Sequence, residues 1–474
     1  MGASDRIGWR EVRAWGQANA PPQDGWKAAC VGLLVRLGVV IWAAERFPPA
    51  ADGSFYHIVA ERISRGLGYT WLWPDGAVTF AAHYPVGYPA LVGAWYWILG
   101  PKPWVAMLLG AVLGSLAIVA VHRMAARETG RAGALLAAIL VALHPTLVFY
   151  TAALMTEGLV AALLSGLGWL TLSVRARVDR RWAWMAGLGL ATGLTALVRP
   201  QILLLAPLLG ALAVKSPGIR SHPWRHRLLA AGLTSGLALA ACLPWTLRNC
   251  SRMDRCVLVS ANGGWNLLIG SGPAATGSWV PIEKMLPAEC RTVYAEVAKD
   301  DCFGRAAWRH MADRPWHWVG LIPRKLAATF NATHAASGYL GQSNALAWPG
   351  RAQAGLSACE IIWQRVIVAL GLVALARARG PHHSGRRVIG VLAGLGLLQV
   401  AAWPSYLAVV VMALLLGKEL ADRPVLGLAA GALAATALTH AAFFGAGRYA
   451  LVCVGVLSAL AGLAFGPKAP ERTR

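Results

Sequence analysis

The stretch WVAMLLGAVLGSLAIVAVH, residues 104–122, carries no charge before its terminal histidine and matches the ~20 residues that a helix needs to cross a bilayer's hydrocarbon. Residues 228–247 and 449–466 have the same character. Each reads as a membrane span, because a helix satisfies its own backbone hydrogen bonds where no water is at hand. The composition extends the reading to the whole chain: of 474 residues, 57% are hydrophobic and 14% charged, and the mean hydropathy is +0.51. No soluble core hides that much apolar surface. The first apolar run, Ala28 to Ala44, follows a polar stretch and lacks a small-residue cleavage site leading into a soluble domain, so it is expected to stay as an anchor.

A net charge of +23 suggests nucleic acid until the basic residues are located. They cluster in short loops: Arg6, Arg10, Arg13 and Lys27; Arg123, Arg127 and Arg131; Arg175, Arg177, Arg180 and Arg181; Lys215, Arg220, Arg225 and Arg227; Arg377, Arg379, Arg386 and Arg387. That distribution follows the positive-inside rule and argues against a nucleic-acid partner; it marks these loops as cytoplasmic. The expected architecture is therefore an all-α polytopic membrane protein with about twelve transmembrane helices. Residues 86–100 are apolar but broken by Gly87, Pro89 and Gly93, and parity of the loops requires that they do not cross fully but lie in the interface or re-enter.

The division that follows is a cytoplasmic segment 1–27, a seven-span module 28–249 with a first outer loop 46–103, an outer subdomain 250–355, a five-span bundle 356–466 and a cytoplasmic tail 467–474. Both termini are then cytoplasmic, and the location is the inner (plasma) membrane. In the first outer loop Phe55, Tyr56, Val59, Ile63 and Leu67 share one helical face, the pattern of an interfacial helix. The segment 250–355 mixes both signs of charge with Gly and Pro, as a small exposed loop subdomain does. Its Cys250, Cys256, Cys290 and Cys302 allow two disulfides in three pairings, with 250–256 and 290–302 favoured, or four free thiols. No Cys/His spacing suggests zinc, and neither a phosphate-binding P-loop nor a nucleophile elbow occurs.

Polar residues that interrupt apolar sequence default to a functional hypothesis, and this topology puts most of them on one side. They are Asp52, Tyr56, His83, Tyr84, Glu157, Arg199, Arg248, Asn249, Asn262, Trp265, Asn266, His440 and Arg448. The duller readings are an N-cap for Asp52, with Ser54 available instead, structural histidines for His83 and His440, and snorkelling arginines, above all Arg199 beside Pro200. Glu157 could serve only as an arginine's partner, and Trp265 could simply pack.

The order of D-x-x-x-Y at 52–56, HYPVGYP at 83–89, Thr-Glu at 156–157, Arg-Pro at 199–200, PWTLRN at 244–249, NGGWNLLIG at 262–270 and H-x-x-F-F-G-x-x-R-Y at 440–449 resembles the GT-C glycosyltransferases. These are multi-spanning enzymes that use polyprenyl-phosphate sugars, such as protein O-mannosyltransferases and aminoarabinose transferases. The resemblance implies transfer of a sugar from a polyprenyl-phosphate donor to a lipid, glycan or protein acceptor at the outer face, with Asp52 as catalytic base. That family often has a second acidic residue in this loop; here position 53 is Gly. Only Asp75 or Glu61 could substitute in that loop, so a divalent metal stays open without support in the residues, and no other cofactor is indicated.

The chemistry points the same way. A departing polyprenyl phosphate carries its own charge and needs cationic stabilisation, which Arg199, Arg248 and Arg448 supply with His83 as a further phosphate-binding group. Attack on the anomeric carbon needs a base within hydrogen-bond reach, and a single displacement inverts that carbon. Tyr56, Tyr84, Glu157, Asn249, Asn262, Trp265, Asn266 and His440 are then candidate substrate contacts. A polymerase or ligase of lipid-linked glycans shares these features, and a transporter of a lipid-linked or anionic substrate is the remaining alternative.

Overall fold

A computed structural model describes residues 20–177, 179–215, 223–253 and 255–466. The basic residues Arg6, Arg10, Arg13, Arg220, Lys468, Arg472 and Arg474 lie outside these ranges. The chain is an all-α polytopic membrane protein. Its helices in order are α1 (Pro22–Ala43), α2 (Asp52–Ser64), α3 (Gly87–Leu99), α4 (Pro103–Ala125), α5 (Arg131–Ala142), α6 (Pro145–Phe149), α7 (Thr156–Ala176), α8 (Arg181–Ala196), α9 (Ala206–Leu212) and α10 (Pro223–Arg252). The second half holds α11 (Gly263–Ser271), α12 (Glu296–Asp313), α13 (Pro315–Phe330), α14 (Ala335–Ser343), α15 (Gly350–Arg377), α16 (His383–Gly396), α17 (Trp403–Leu414), α18 (Pro424–Ala442) and α19 (Val454–Gly462).

Among the described residues seven helices are long and apolar enough to cross a membrane, and an eighth arises if the pair 131–142 and 145–152, bent by 45°, is one span. The other expected spans fall on α8, on 200–212, on α16 and on α17, all shorter than the ~20 residues a straight crossing takes. Residues 86–100, expected not to cross, form the 13-residue α3. Proline shapes several starts: Pro103, Pro145 and Pro424 each sit in the first turn, where the missing amide costs nothing.

Close packing uses small residues. Gly189 and Gly193, one turn apart on α8, press against Thr234 and Ala238 of α10, and a Cβ at Gly193 would strike the Ala238 carbonyl. One exception to the all-α expectation is a hairpin, β1 (Thr70–Leu72) with β2 (Val78–Phe80), antiparallel with Thr70 opposite Phe80. Its turn holds Gly76 at φ 85 and an Asp75 carboxylate that accepts from the Ala77 amide at 3.0 Å.

At the bend in the 131–152 span sits Arg36, which is 1% exposed in the middle of α1. Its Nη1 donates to Ala142 O at 3.0 Å and Gly32 O at 3.1 Å, and its Nη2 to Val141 O at 3.1 Å. Val141 and Ala142 end α5 and form the negative end of its dipole; apart from Arg36, Val141 O has only the backbone amides of the helix end, that of His144 at 3.4 Å. His144 opens the next turn by accepting from the Leu147 amide. Replacing Arg36 with Leu strands the Ala142 carbonyl in an apolar surround, leaves Val141 O with only the long bond from the His144 amide, and is expected to cost about 1–3 kcal/mol, read as a lower thermal unfolding temperature of the purified protein. Arg36→Lys, a point charge without the fork, should recover only part of that loss.

Candidate active site

Asp52 opens α2 just after Ala51, whose backbone is left-handed at φ 50. No backbone amide of α2 is capped by a side chain, and Ser54 Oγ donates to Pro49 O instead. The Asp52 carboxylate is turned to side chains. Tyr84 Oη donates to Oδ1 at 2.8 Å, and Arg448 Nη2 lies 3.0 Å from Oδ2. The same guanidinium reaches Glu157 through Nε at 3.4 Å, so one arginine ties two carboxylates. Glu157 is 2% exposed in the first turn of α7, where the helix dipole favours an anion. It also pairs with Arg199 at 3.4 Å and accepts from Tyr150 Oη at 3.0 Å.

Tyr449 closes the group from below the two arginines. The Arg199 guanidinium lies 5.0 Å and that of Arg448 5.3 Å from its ring centroid, a cation–π arrangement. His440 stacks on the other residue of that motif, Tyr449, at 4.1 Å and 7°. Its Nδ1 lies 2.9 Å from Phe444 O, while Nε2 is buried and makes no protein hydrogen bond among the described residues. Two carboxylates and two guanidiniums thus share one partly buried place, balanced in charge. Tyr56 stands edge-on to Tyr84 at 5.1 Å and completes the aromatic wall.

His83 borders this group. Its ring is perpendicular to Tyr84 at 4.7 Å and faces Trp265 at 5.2 Å. Burial lowers its pKa, against the opposing pull of the Asp52 charge and of a hydrogen bond to the Ala261 backbone. Trp265 also packs on Phe303 at 5.0 Å. Asn262 precedes α11 and accepts from Ser260 Oγ; Asn266 lies within α11.

Arg248 and Asn249 are occupied elsewhere. Arg248 donates to Ala81 O and Tyr69 O, both at 2.8 Å, and lies over the Trp245 ring. Asn249 is fully buried and donates to Val257 O and Val259 O. Both brace the 69–82 loop against residues 257–259, and among the described residues neither contacts the Asp52–Arg448 group.

The segment 250–355 forms a second small core from Leu268, Ile269, Ile282, Met285 and Phe303, to which Phe444 and Tyr449 belong. Both favoured disulfides, Cys250–Cys256 and Cys290–Cys302, are formed. Two carboxylates one turn apart on α12 hold the site's border. Glu296 Oε2 accepts from the amides of Ala82 at 2.6 Å and His83 at 3.0 Å, and Asp300 Oδ1 accepts from the Trp265 amide at 2.8 Å. Gly264 permits that approach, since a Cβ there would collide with the Asp300 carbonyl. Sequence reading missed Glu296, Asp300 and Tyr449; only Tyr449, adjacent to Arg448 in its motif, gave a signal.

Residues 83–247 match the family model of dolichyl-phosphate-mannose-protein mannosyltransferases. That range contains His83, Tyr84, Glu157 and Arg199, and leaves Asp52 and Arg448 outside it. No curated protein sequence matches the chain significantly. Among solved structures it is similar to the oligosaccharyltransferase of Archaeoglobus fulgidus tethered with an acceptor peptide, at 15% identity and a TM-score of 0.47, over 93% of this chain and 49% of that one. It is also similar to ArnT from Cupriavidus metallidurans bound to undecaprenyl phosphate, at 17% identity and a TM-score of 0.39, over 92% of this chain and 77% of that one. The chain spans about half the length of the archaeal enzyme. The likeness to membrane glycosyltransferases expected from the motifs is thus borne out over residues 83–247.

Burial raises the pKa of Glu296 above its ordinary 4.5, against the two amide bonds that favour the anion. A folded-state pKa raised in this way makes the protein lose stability as pH climbs from 4.5 through the folded value. Glu296→Gln keeps an acceptor oxygen without the charge. Relative to the wild type, its unfolding temperature should rise with pH across that window, and at pH 7 it should be no lower. Glu296→Ala leaves both amides unpaired and should cost about 1–3 kcal/mol in the same measurement.

Proposed function

We propose that this chain is an inverting glycosyltransferase that moves a sugar from a polyprenyl-phosphate donor to an acceptor at the outer face of the inner membrane, with both termini cytoplasmic. The observation that carries the reading is the Asp52 carboxylate joined to Glu157 through Arg448 at the edge of an apolar bundle. The match of residues 83–247 to a polyprenyl-phosphate-sugar transferase family supports it.

In this mechanism Asp52 takes the proton of the acceptor hydroxyl or amine as the new bond to the anomeric carbon forms. The bond from that carbon to the phosphate oxygen breaks on the opposite face, and polyprenyl phosphate leaves with the electron pair. Arg448 and Arg199 hold the charge that develops on it. Before the donor arrives Arg448 occupies Asp52 Oδ2. The donor phosphate competes for that guanidinium, and its success frees the carboxylate oxygen for the acceptor. Glu157, buried between Arg199 and Arg448, keeps both in place without touching the sugar.

Asp52→Asn keeps the side-chain shape and the oxygen that receives Tyr84, so donor binding should persist while single-turnover transfer falls by about a hundredfold or more, the usual worth of a general base. Arg448→Ala should weaken both donor binding and transfer, because its charge meets the phosphate before and during reaction. An Asp52→Asn protein that transfers normally contradicts the assignment.

The orientation has its own check. Single cysteines at Arg177 and Arg225 should resist an impermeant thiol reagent in sealed cells, and single cysteines at Lys284 and Asp301 should react.

A further inference from the structure

The segment that delivers Asp52 is strained and is held from a distant part of the chain. Gly53 N donates to Ala50 O at 2.9 Å, closing a tight turn in which Ala51 has φ 50 and ψ −133. That is the first central position of a type II′ turn, where glycine is at home and alanine is not. Such a conformation persists only where the surroundings fix it.

The fixing groups come from one helix and its end. Tyr339 Oη, on α14, accepts from the Ala50 amide at 3.2 Å and the Leu154 amide at 3.4 Å. Ser343 Oγ donates to Pro48 O at 2.6 Å, and Asn344 Nδ2 donates to Arg46 O at 2.9 Å. The three anchors meet residues 46, 48 and 50, every second residue of the run into the turn. α14 is itself seated by Glu360, which is fully buried on α15 and accepts from the Ala336 amide, the Ser337 amide and Ser337 Oγ. The clamp also leaves little room at position 53: a Cβ at Gly53 would stand 3.0 Å from both Leu154 O and Tyr339 Oη.

We propose that α14, acting through Tyr339, is the positioning element for Asp52, holding the strained turn that sets where the carboxylate stands relative to Arg448 and Tyr84. This rests on the reading of Asp52 as the base, and it adds residues that lie outside the 83–247 family match. Tyr339 acts through the backbone of residues 50–51 and not on the sugar. A hydroxyl removed there lets the turn relax, and small displacements of a reacting group are expensive in rate.

The test uses the full-length protein and two readouts, hydrogen exchange of residues 46–53 and single-turnover transfer from a polyprenyl-phosphate sugar, on Tyr339→Phe, Ala51→Gly and the double variant. Tyr339→Phe should speed exchange and lower the transfer rate by about tenfold, with donor affinity within about twofold of the wild type. Ala51→Gly in the same chain should restore most of both, because glycine takes φ 50 without strain. Wild-type exchange and rate in Tyr339→Phe, or a double variant no better than Tyr339→Phe, would overturn the proposal. If the wild type transfers nothing from such donors, the proposed function fails, and the exchange arm with its glycine rescue still decides whether Tyr339 holds the turn.

Discussion

The structure turns on Arg448 reaching two carboxylates at once, Asp52 at 3.0 Å and Glu157 at 3.4 Å. A buried or half-buried charge in an apolar bundle is tolerated only when it is paired, and removing one member leaves the others uncompensated. That condition draws four distant pieces of chain to one point: the start of α2, the start of α7, the Arg199–Pro200 break and the turn before α19. Tyr84, Tyr150 and Tyr449 then satisfy or cover what the ions leave. Under the proposed mechanism, a donor phosphate entering this balanced group exchanges with a carboxylate for its arginine, which couples arrival of the donor to release of the base.

Two supports stand behind that point, and they come from opposite sides. On one, α12 uses Glu296 and Asp300 to fix the backbone of the His83 loop and the start of α11, and the Cys290–Cys302 disulfide ties the same helix to its own small core. On the other, Glu360 seats α14, and α14 grips the run from Arg46 to Ala50. Tyr449 is shared between the small core of Leu268, Ile282 and Phe303 and the ion group, so that core and the ions pack as one.

Much of this was legible in the sequence because ionisable residues stand out against apolar surroundings. Asp52, Glu157, Arg199 and Arg448 drew attention for that reason, and so did Arg248. Sequence does not separate Arg448 from Arg248, since both end apolar stretches; only the folded chain offers one of them carboxylates and the other the carbonyls of Tyr69 and Ala81. Glu296, Asp300 and Tyr339 lie in a segment of mixed polarity where nothing distinguishes a latch from a solvated side chain. The strained Ala51 was invisible because its conformation is imposed by α14, not by its own propensity. At the level of fold, the membrane class followed from composition, whereas the number of spans did not: the break at His144 bends one crossing, and several apolar helices are too short to be told by length. The hairpin at 70–80 was missed although its Pro-Asp-Gly turn is a local signal.

The central claim is a single displacement at the anomeric carbon with Asp52 as base and polyprenyl phosphate as leaving group. The most direct measurement incubates the purified protein in lipid nanodiscs with polyprenyl-phosphate sugars of known anomeric configuration and with candidate acceptors. The configuration of the product is read by NMR, and the released lipid phosphate is quantified alongside it. The account predicts a product of inverted configuration, with one polyprenyl phosphate released for each glycosidic bond. A product of retained configuration, or movement of the donor across the membrane with no glycosidic bond formed, would contradict it.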